Sequence, residues 1–531
     1  MKLKRRGLGM IMSLIMAAGL LGGCSGNDST DTGADDKGTQ HEGTAADSGT
    51  SEEELVELTV FIDHTWYDTD KFEGIIPEEI TKQTGVVLKP VKAVDAMQLG
   101  VIIASDEEYD LIYTSQLGDR LSSSNICYSY NELIEQYAPS FQPSEDQIMV
   151  ASSLSSDENY YTILNASSTQ EEWRAASAGS PTLASLIYRR DILDELGMKP
   201  PATLDELLDV FKAVKEKYPD MVPLTMEYSF MTDFFKSNII ENWQPTTESM
   251  IEAGDKKIIH QTSSPQYEEY LKFMNTLYLE GYINADNFAY TDGTQSEELM
   301  VTNKAFAMTF MTGERDTKLT QDLNANGHEG FFEHAQPMSE LSYNTPGAGW
   351  SGVYITKNNK NPEASIKLLE WMFSEEGQKL TQWGREGIDY EEDENGVPIF
   401  SDEWIEAREN GTLTEIYNPN YYFGISGVIE AVGRASGISE SANAAMDAIR
   451  ENLIVSVIPG LITPKSDTPE RIMLDQITET VKSYDTKIIL SGSDEEFDKN
   501  LAELHQKLEQ IGIKEIEEYY TREAAQYYDN M

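Results

Sequence analysis

The amino-acid sequence predicts an α/β protein, and three observations carry that prediction. Short β-branched runs alternate with helix-length amphipathic runs from residue 56 onward. Capping residues and glycines stand where the alternation needs helices to start and stop. Beyond Ala442 the pattern becomes mostly helical. No period of the length used by solenoids runs through the chain.

The elements follow in order. Met1–Arg6 carries Lys2, Lys4, Arg5 and Arg6, and Gly7–Leu20 is apolar. The apolar stretch is too short to span a bilayer and is followed by small residues, so residues 1–23 read as a secretory signal removed on maturation. Its end, Leu21-Gly22-Gly23-Cys24, resembles the lipobox of bacterial lipoproteins. That resemblance implies a diacylglycerol on the Cys24 thiol, cleavage before it and acylation of the new amino end, an anchor of more than one chain. Residues 24–54 are rich in Gly, Ser, Thr, Asp and Glu and cannot bury a core. They read as a disordered tether with a root-mean-square reach of roughly 30 Å.

The folded body is expected from Leu55. Val56–Asp63, Val86–Val91 and Tyr109–Thr114 read as strands, with helices at Gly74–Thr84 and Asp95–Ser105 between them. This alternation predicts a parallel sheet with helices on both faces. Ligands of such sheets sit at the carboxyl ends of the strands. Those ends are Asp63–Tyr67 and Tyr113–Gln116. Asn159–Leu164 and Thr182–Arg189 read as further strands, and Asp191–Gly197 as a short helix. Thr203-Leu204-Asp205-Glu206 is a capping box ahead of Leu204, Leu207, Leu208, Phe211 and Val214 at helical spacing. A second such helix starts at Ser264, with Tyr267, Tyr270, Leu271, Met274, Leu277 and Tyr278 on one face and Gly281 as its stop. Lys304–Phe310 and Val353–Thr356 are strands; Asn361-Pro362 opens a helix to about Leu380. Phe497, Leu501, Leu504, Leu508 and Ile511 form the apolar stripe of the last long helix.

Composition removes several function classes. The 531 residues include 40 Lys+Arg and 92 Asp+Glu, a formal charge of −52, and cleavage before Cys24 removes four cations and leaves it near −56. Nucleic-acid binding needs a basic face, which this balance denies. A solvated acidic surface keeps the protein soluble. There are two cysteines. With Cys24 lipidated, Cys127 has no partner and no intrachain disulfide is expected.

Four segments resemble the extracellular solute-binding proteins of ABC importers, in the large carbohydrate-binding branch that includes the maltose-binding type. They are the LASLIYRRDILDELGMKPPATLDELLDVFKAVKEKYPDMVPLT run from Leu183, Gly281–Met311, the Asn-Pro-Glu-Ala strand–helix of Gly352–Phe373, and the pair WGREGIDY from Trp383 and GIKEIEEYYTREAAQYY from Gly512. The last pair is similar to a long lipoprotein subgroup. The resemblance implies two α/β lobes joined by crossing strands, a periplasmic-binding-protein-like fold with a hinge and C-terminal helices. Carried onto this chain, it implies one lobe of residues 55–163 plus 347–390 and a second of 164–346 plus 391–531. It implies a monomer on the extracellular face of the bacterial membrane that captures a carbohydrate and passes it to permease subunits. No cofactor is implied. Many members carry an Asp-rich calcium loop where this chain has Lys217-Tyr218-Pro219-Asp220-Met221, which lacks the oxygen ligands, so no metal is expected there.

Some motifs point elsewhere. Gly347-Ala348-Gly349-Trp350-Ser351-Gly352 fits the spacing of a dinucleotide fingerprint, but it precedes a strand instead of opening a helix. A crossover or cleft loop is the expectation. His328-Glu329 and Glu333-His334 lack the spacing of a metal helix. There is no G-x-S-x-G elbow and no P-loop. With 92 acids, chance pairs are expected, so a lipoprotein glycoside hydrolase stays open as an alternative, beside a sensor or a binder of a non-sugar ligand.

A sugar offers C–H faces that stack on aromatic rings and a rim of hydroxyls that need planar partners. The chain has 7 Trp and 27 Tyr. Trp66 lies just past the first strand with His64 and Asp68; Tyr113 and Gln116 end the third. Trp350 sits in the crossover loop, Trp383 and Arg385 in WGREG, and Tyr421 and Tyr422 in a loop rich in Asn and Gly. Tyr188 matches the family's cleft tyrosine in LIYRRD. These eleven residues are the candidate ligand contacts.

Overall fold

Two four-stranded sheets organise the chain, and each floors its own apolar core. Their strands are β1 (Val56–Ile62), β2 (Val86–Lys92), β3 (Leu111–Thr114), β4 (Ala184–Arg189), β5 (Val222–Thr225), β6 (Ala305–Met311), β7 (Phe332–His334) and β8 (Gly352–Ile355). The computed structural model describes residues 55–528 except 68, 96, 106–107, 158, 227–233, 244–248, 291–292, 312, 314 and 340. The signal segment, the tether, the lipidation site Cys24 and the candidate Asp68 lie outside the described residues. Those described all fall in one compact unit. No helix among them is long and apolar enough to cross a membrane.

The first sheet has the order β8-β3-β1-β2. β1 runs parallel to both β2 and β3, with Val56 opposite Val86 and Val60 opposite Leu111. β8 closes the edge antiparallel to β3, with Gly352 opposite Thr114. The second sheet has the order β5-β6-β4-β7, and only its β5–β6 pair is parallel. The expectation of an all-parallel sheet is corrected here. Alternation along the chain shows which elements follow one another, but not which strands lie side by side once long crossovers intervene.

Burial follows the apolar patterns. Leu58, Val60 and Ile62 of β1 pack with Ile76 and Ile80 of helix Ile75–Thr84 and with Ile366, Leu369 and Met372 of helix Pro362–Phe373. The second core gathers Leu186 of β4 and Leu207, Phe211 and Val214 of helix Leu204–Lys217. It also takes Tyr267, Tyr270, Leu271, Met274 and Leu277 of helix Pro265–Leu279. Each such aliphatic side chain contributes about 1.5–3 kcal/mol by leaving water. The stripe Phe497, Leu501, Leu504 and Leu508 packs on this core from helix Asp494–Ile511, which is the penultimate helix; Ile513–Tyr528 follows it.

Several expectations change. Residues 159–164 form no strand, and only Leu164 bridges Gly352. Their backbone is spent elsewhere: the Tyr160 carbonyl accepts from the Tyr130 amide. The helix expected from 362 to about 380 is two. Ser374 ends Pro362–Phe373 and caps Glu375–Trp383, its Oγ accepting from the Gly377 amide at 3.1 Å. A Cβ at Gly377 would sit 2.0 Å from the Trp371 carbonyl oxygen, so the corner needs glycine. The capping box is displaced by one residue: Thr203 Oγ1 accepts from the Glu206 amide, while Glu206 Oε2 accepts from the Ala202 amide. Finally, Trp404, Tyr417 and Phe423 pack in the core of β1, although the resemblance implies residues 391–531 for the other lobe.

Three segments cross between the cores side by side. The Asn165 amide donates to Ser351 O at 2.8 Å, Ala166 N to Ile425 O at 2.7 Å, and Ser168 N to Gly347 O at 3.3 Å. The glycine spacing that mimics a dinucleotide motif belongs to this crossing. A Cβ would stand 2.3 Å from the Asn165 carbonyl oxygen at Gly349, where φ is +81°, and 2.2 Å from Thr162 Oγ1 at Gly352. These glycines let backbones touch; they do not cradle a phosphate.

Candidate functional site

The carboxyl ends of β1 and β3 meet the crossing segments in a cluster of aromatic rings. Past Ile62 the pairing continues by one bond, Asp63 N to Tyr113 O at 3.0 Å, and then the chain turns, with Tyr67 N on His64 O at 3.1 Å. The turn aims His64 and Trp66 off the sheet edge. The His64 ring stacks on Trp66 with centroids 5.1 Å apart and planes 29° apart, and meets Trp350 at 5.0 Å and the edge of Tyr113 at 4.8 Å. Trp66 and Trp350 are 5.9 Å apart, and Tyr422 faces the edge of Trp66 at 6.5 Å and of Tyr67 at 6.0 Å.

Trp66 is 56% exposed. Exposing a large indole forfeits the burial term that usually holds such a ring inside. His64 and Trp350 support it from beneath, so its orientation is set while its free face stays open.

Polar groups tie the cluster down. His64 Nε2 shares a hydrogen bond with Ser351 Oγ at 2.9 Å. Burial pushes the imidazole pKa down to about 4, so the ring is neutral at neutral pH. Asn165 donates from Nδ2 to the Tyr113 hydroxyl at 3.0 Å and to the Tyr422 carbonyl at 2.6 Å, while its Oδ1 accepts from the Ser351 amide at 3.2 Å. Thr114 Oγ1 donates to Asp63 Oδ2 at 2.7 Å. Asp63 Oδ1 is buried with no hydrogen-bond partner among the described residues. Desolvation lifts this carboxyl above its usual range, and the Thr114 bond opposes that rise.

A cavity of about 510 Å³ adjoins the cluster at Tyr422. Trp383, Trp404 and Phe400 border it from one side, and Thr182, Phe310 and Met311 from the other. It therefore lies where the two sheets' cores face each other. A larger cavity, about 630 Å³, is lined by Ser167, Gly347 and Ser426 of the crossing segments and includes none of the clustered rings.

The sequence candidates divide accordingly. His64, Trp66, Tyr113, Trp350 and Tyr422 come together. Tyr421 is buried behind them, stacked on Phe72 at 4.3 Å. Gln116 is exposed just past β3. Three candidates stand apart. Tyr188 is buried in the second core, stacked on Phe306, with its hydroxyl 3.5 Å from Glu333 Oε1. Arg385 is committed to a two-point ion pair with Asp389 at 2.8 and 3.0 Å. Trp383 is 2% exposed and packs edge-on against Tyr390 at 5.4 Å and beside Val432, touching only the cavity border. Asn165 and Ser351 escaped sequence reading: an Asn and a Ser in loops carry no periodic signal. His334, from the discounted Glu333-His334 pair, bonds Ser185 Oγ at 2.9 Å and Gly313 O at 3.0 Å.

Comparison with known proteins places the chain. The family described as bacterial extracellular solute-binding protein matches residues 67–379, more than half of the chain. The chain belongs to that family. Two curated relatives of this solute-binding protein are from Bacillus subtilis (strain 168). Lipoprotein LipO is 28% identical over 226 residues, 39% of this chain and 44% of LipO. The polygalacturonan/rhamnogalacturonan-binding protein YtcQ is 32% identical over 126 residues, 23% of this chain and 24% of YtcQ. The matches thus span less than half the length of these relatives.

Solved structures share the fold of this solute-binding protein. An alginate-binding protein without calcium ion superposes with a TM-score of 0.64 at 18% identity, covering 89% of this chain and 98% of that one. An HMO-binding, ABC-transporter-associated protein from Bifidobacterium longum infantis gives 0.65 at 15%, covering 89% and 99%. The S. pneumoniae substrate-binding protein FusA in complex with kestose gives 0.65 at 17%, covering 90% and 100%. The architecture is the two-lobe α/β fold of these binding proteins.

Proposed function

We propose that this is a lipid-anchored substrate-binding protein that captures an extracellular carbohydrate, an oligosaccharide, and delivers it to an ABC importer permease. One observation carries the reading: an exposed indole, Trp66, is held by His64 and Trp350 at the carboxyl ends of parallel strands, beside a cavity between two cores. Pyranose C–H faces stack on such a ring. His64, Tyr113 and Asp63 are buried beneath this ring, and the bonds of His64 to Ser351 and of Tyr113 to Asn165 hold the platform in place for a ligand. The relatives named above for alginate, HMO, kestose and polygalacturonan make saccharides the ligand class to test first.

The reading requires no covalent chemistry. Ligand touching both lobes favours the closed arrangement because it gains contacts there that the open one lacks. The anchor at Cys24 and the tether of residues 24–54 would keep the binder near its permease. The lobes are read as 55–163 plus 347–390 and 164–346 plus 391–531, with Trp404, Tyr417 and Phe423 of the last stretch packed into the core of the first.

The test is a saccharide panel scored by thermal shift and calorimetry, with product analysis of each binder. Saturable binding without turnover, and a smaller scattering radius at saturation, is the expected result. Turnover would favour the hydrolase alternative. Absence of any saccharide binding would overturn the reading.

A further inference from the structure

We propose that the cleft is built for an acidic saccharide, a chain bearing uronate-type carboxylates, and that Arg408 and Arg434 receive them. The inference rests on the carbohydrate reading and narrows its substrate class. Across the chain acids outnumber cations, 92 against 40. Among the described residues the cavity beside Tyr422 reverses that balance: Arg315, Lys318, Arg408 and Arg434 line it against one carboxylate, Glu430. A cleft for a neutral sugar has no need to gather cations from so acidic a chain.

Two of the four cations are already satisfied. Arg315 Nη1 pairs with Glu297 Oε1 at 3.2 Å, and its guanidinium lies 4.5 Å from the Phe310 ring centroid. Lys318 pairs with Asp322 at 3.0 Å. Among the described residues the other two have neutral partners only. Arg408 Nη1 donates to the Ser436 carbonyl at 3.2 Å. Arg434 donates from Nη2 to the Ser180 carbonyl at 3.3 Å and from Nη1 to the Thr182 hydroxyl. No carboxylate among the described residues pairs with either. Both are only half exposed. A half-buried guanidinium with no counter-charge is unfavourable, and an incoming anion relieves it.

The geometry also holds these heads in place. A Cβ at Gly437, where φ is +90°, would stand 2.3 Å from Arg408 Nη2, so the chain leaves a glycine under the guanidinium. Arg434 is held at both Nη atoms and Arg408 at one, so each fork is partly oriented before ligand arrives. A planar, pre-oriented fork matches a carboxylate in two points, which a lysine in the same place would not. The aromatic cluster and the two guanidinium groups border one continuous site through Tyr422. It pairs a stacking surface for sugar rings with charge for their carboxylates.

The experiment titrates the full chain by calorimetry with tetrameric oligouronates (galacturonate, glucuronate and mannuronate), their methyl esters, and neutral oligosaccharides of the same length. The expected result is that one acid binds at least about tenfold more tightly than its ester, a step of about 1.4 kcal/mol. In Arg408→Gln and Arg434→Gln that acid-to-ester ratio falls toward one, while Arg408→Lys keeps part of it. Equal affinity for acid and ester in the unmodified chain would overturn the proposal whether or not the variants fold. Binding of neutral sugars without any oligouronate would overturn it and leave the carbohydrate reading standing. Binding of no saccharide at all would overturn both.

Discussion

Asn165 Nδ2 lies 3.0 Å from the Tyr113 hydroxyl, and this bond joins the first crossing segment to the end of the third strand, 52 residues earlier. The same side chain reaches the Tyr422 carbonyl and the Ser351 amide. One buried amide thus sets the spacing of the first sheet and both later crossing segments, which carry Trp350 and Tyr422. The site is positioned by a residue that need not touch ligand.

Asn165→Ala should therefore weaken both stability and binding. It leaves the Ser351 amide and the Tyr422 carbonyl without this partner, at a cost of about 1–3 kcal/mol for buried polar groups. Chemical denaturation and sugar titration on the same sample check this. An unchanged midpoint would show that the backbone bonds alone hold the crossing.

The two tryptophans should separate function from folding. Trp66→Ala removes an exposed ring, so the melting temperature should hold while sugar affinity drops by at least 2 kcal/mol, about thirtyfold. Trp383→Ala empties a packed position and should cost about 3–5 kcal/mol of stability. The reverse pattern, with Trp66 lowering the melt and Trp383 sparing it, would misplace the site.

Acidification should expose His64. Its folded pKa is lowered to about 4 from the ordinary 6.5, so the stability it contributes is complete above 6.5. Between those values the unfolded chain takes a proton that the folded ring refuses, and the contribution is lost as pH falls, up to about 3 kcal/mol. The stability gap between the unmodified chain and His64→Gln should therefore shrink from pH 7 to pH 4. A gap independent of pH would mean that His64 titrates normally.

Gly349→Ala should damage the crossing more than a surface glycine change does. Its left-handed backbone costs an alanine about 1 kcal/mol, and the Cβ would press on the Asn165 carbonyl. Gly411→Ala shares the positive φ but meets nothing within 4 Å, so it is the control. Equal losses in melting temperature would remove the steric argument.

Cys24→Ala should release the protein from membranes or leave it unprocessed, as detergent-free fractionation would show. Retention at the level of the unmodified chain would contradict a thioether anchor at that residue.

The sequence by itself determined the local elements and the acidic character. Periodicity and caps are short-range, so helix Leu204–Lys217 and the strands β1 to β3 were legible from residues a few places apart. The rule that ligands meet strand carboxyl ends also led to His64, Trp66 and Tyr113. Only the tertiary structure decided which aromatic residues share a site. Trp350 joins the cluster because β8 pairs antiparallel with β3, while Trp383, equally prominent in sequence, turns into packing against Tyr390. That Arg408 and Arg434 meet no carboxylate among the described residues was invisible for the same reason: a guanidinium's partners are fixed by distance in space, and in this chain those distances come from segments far apart along it.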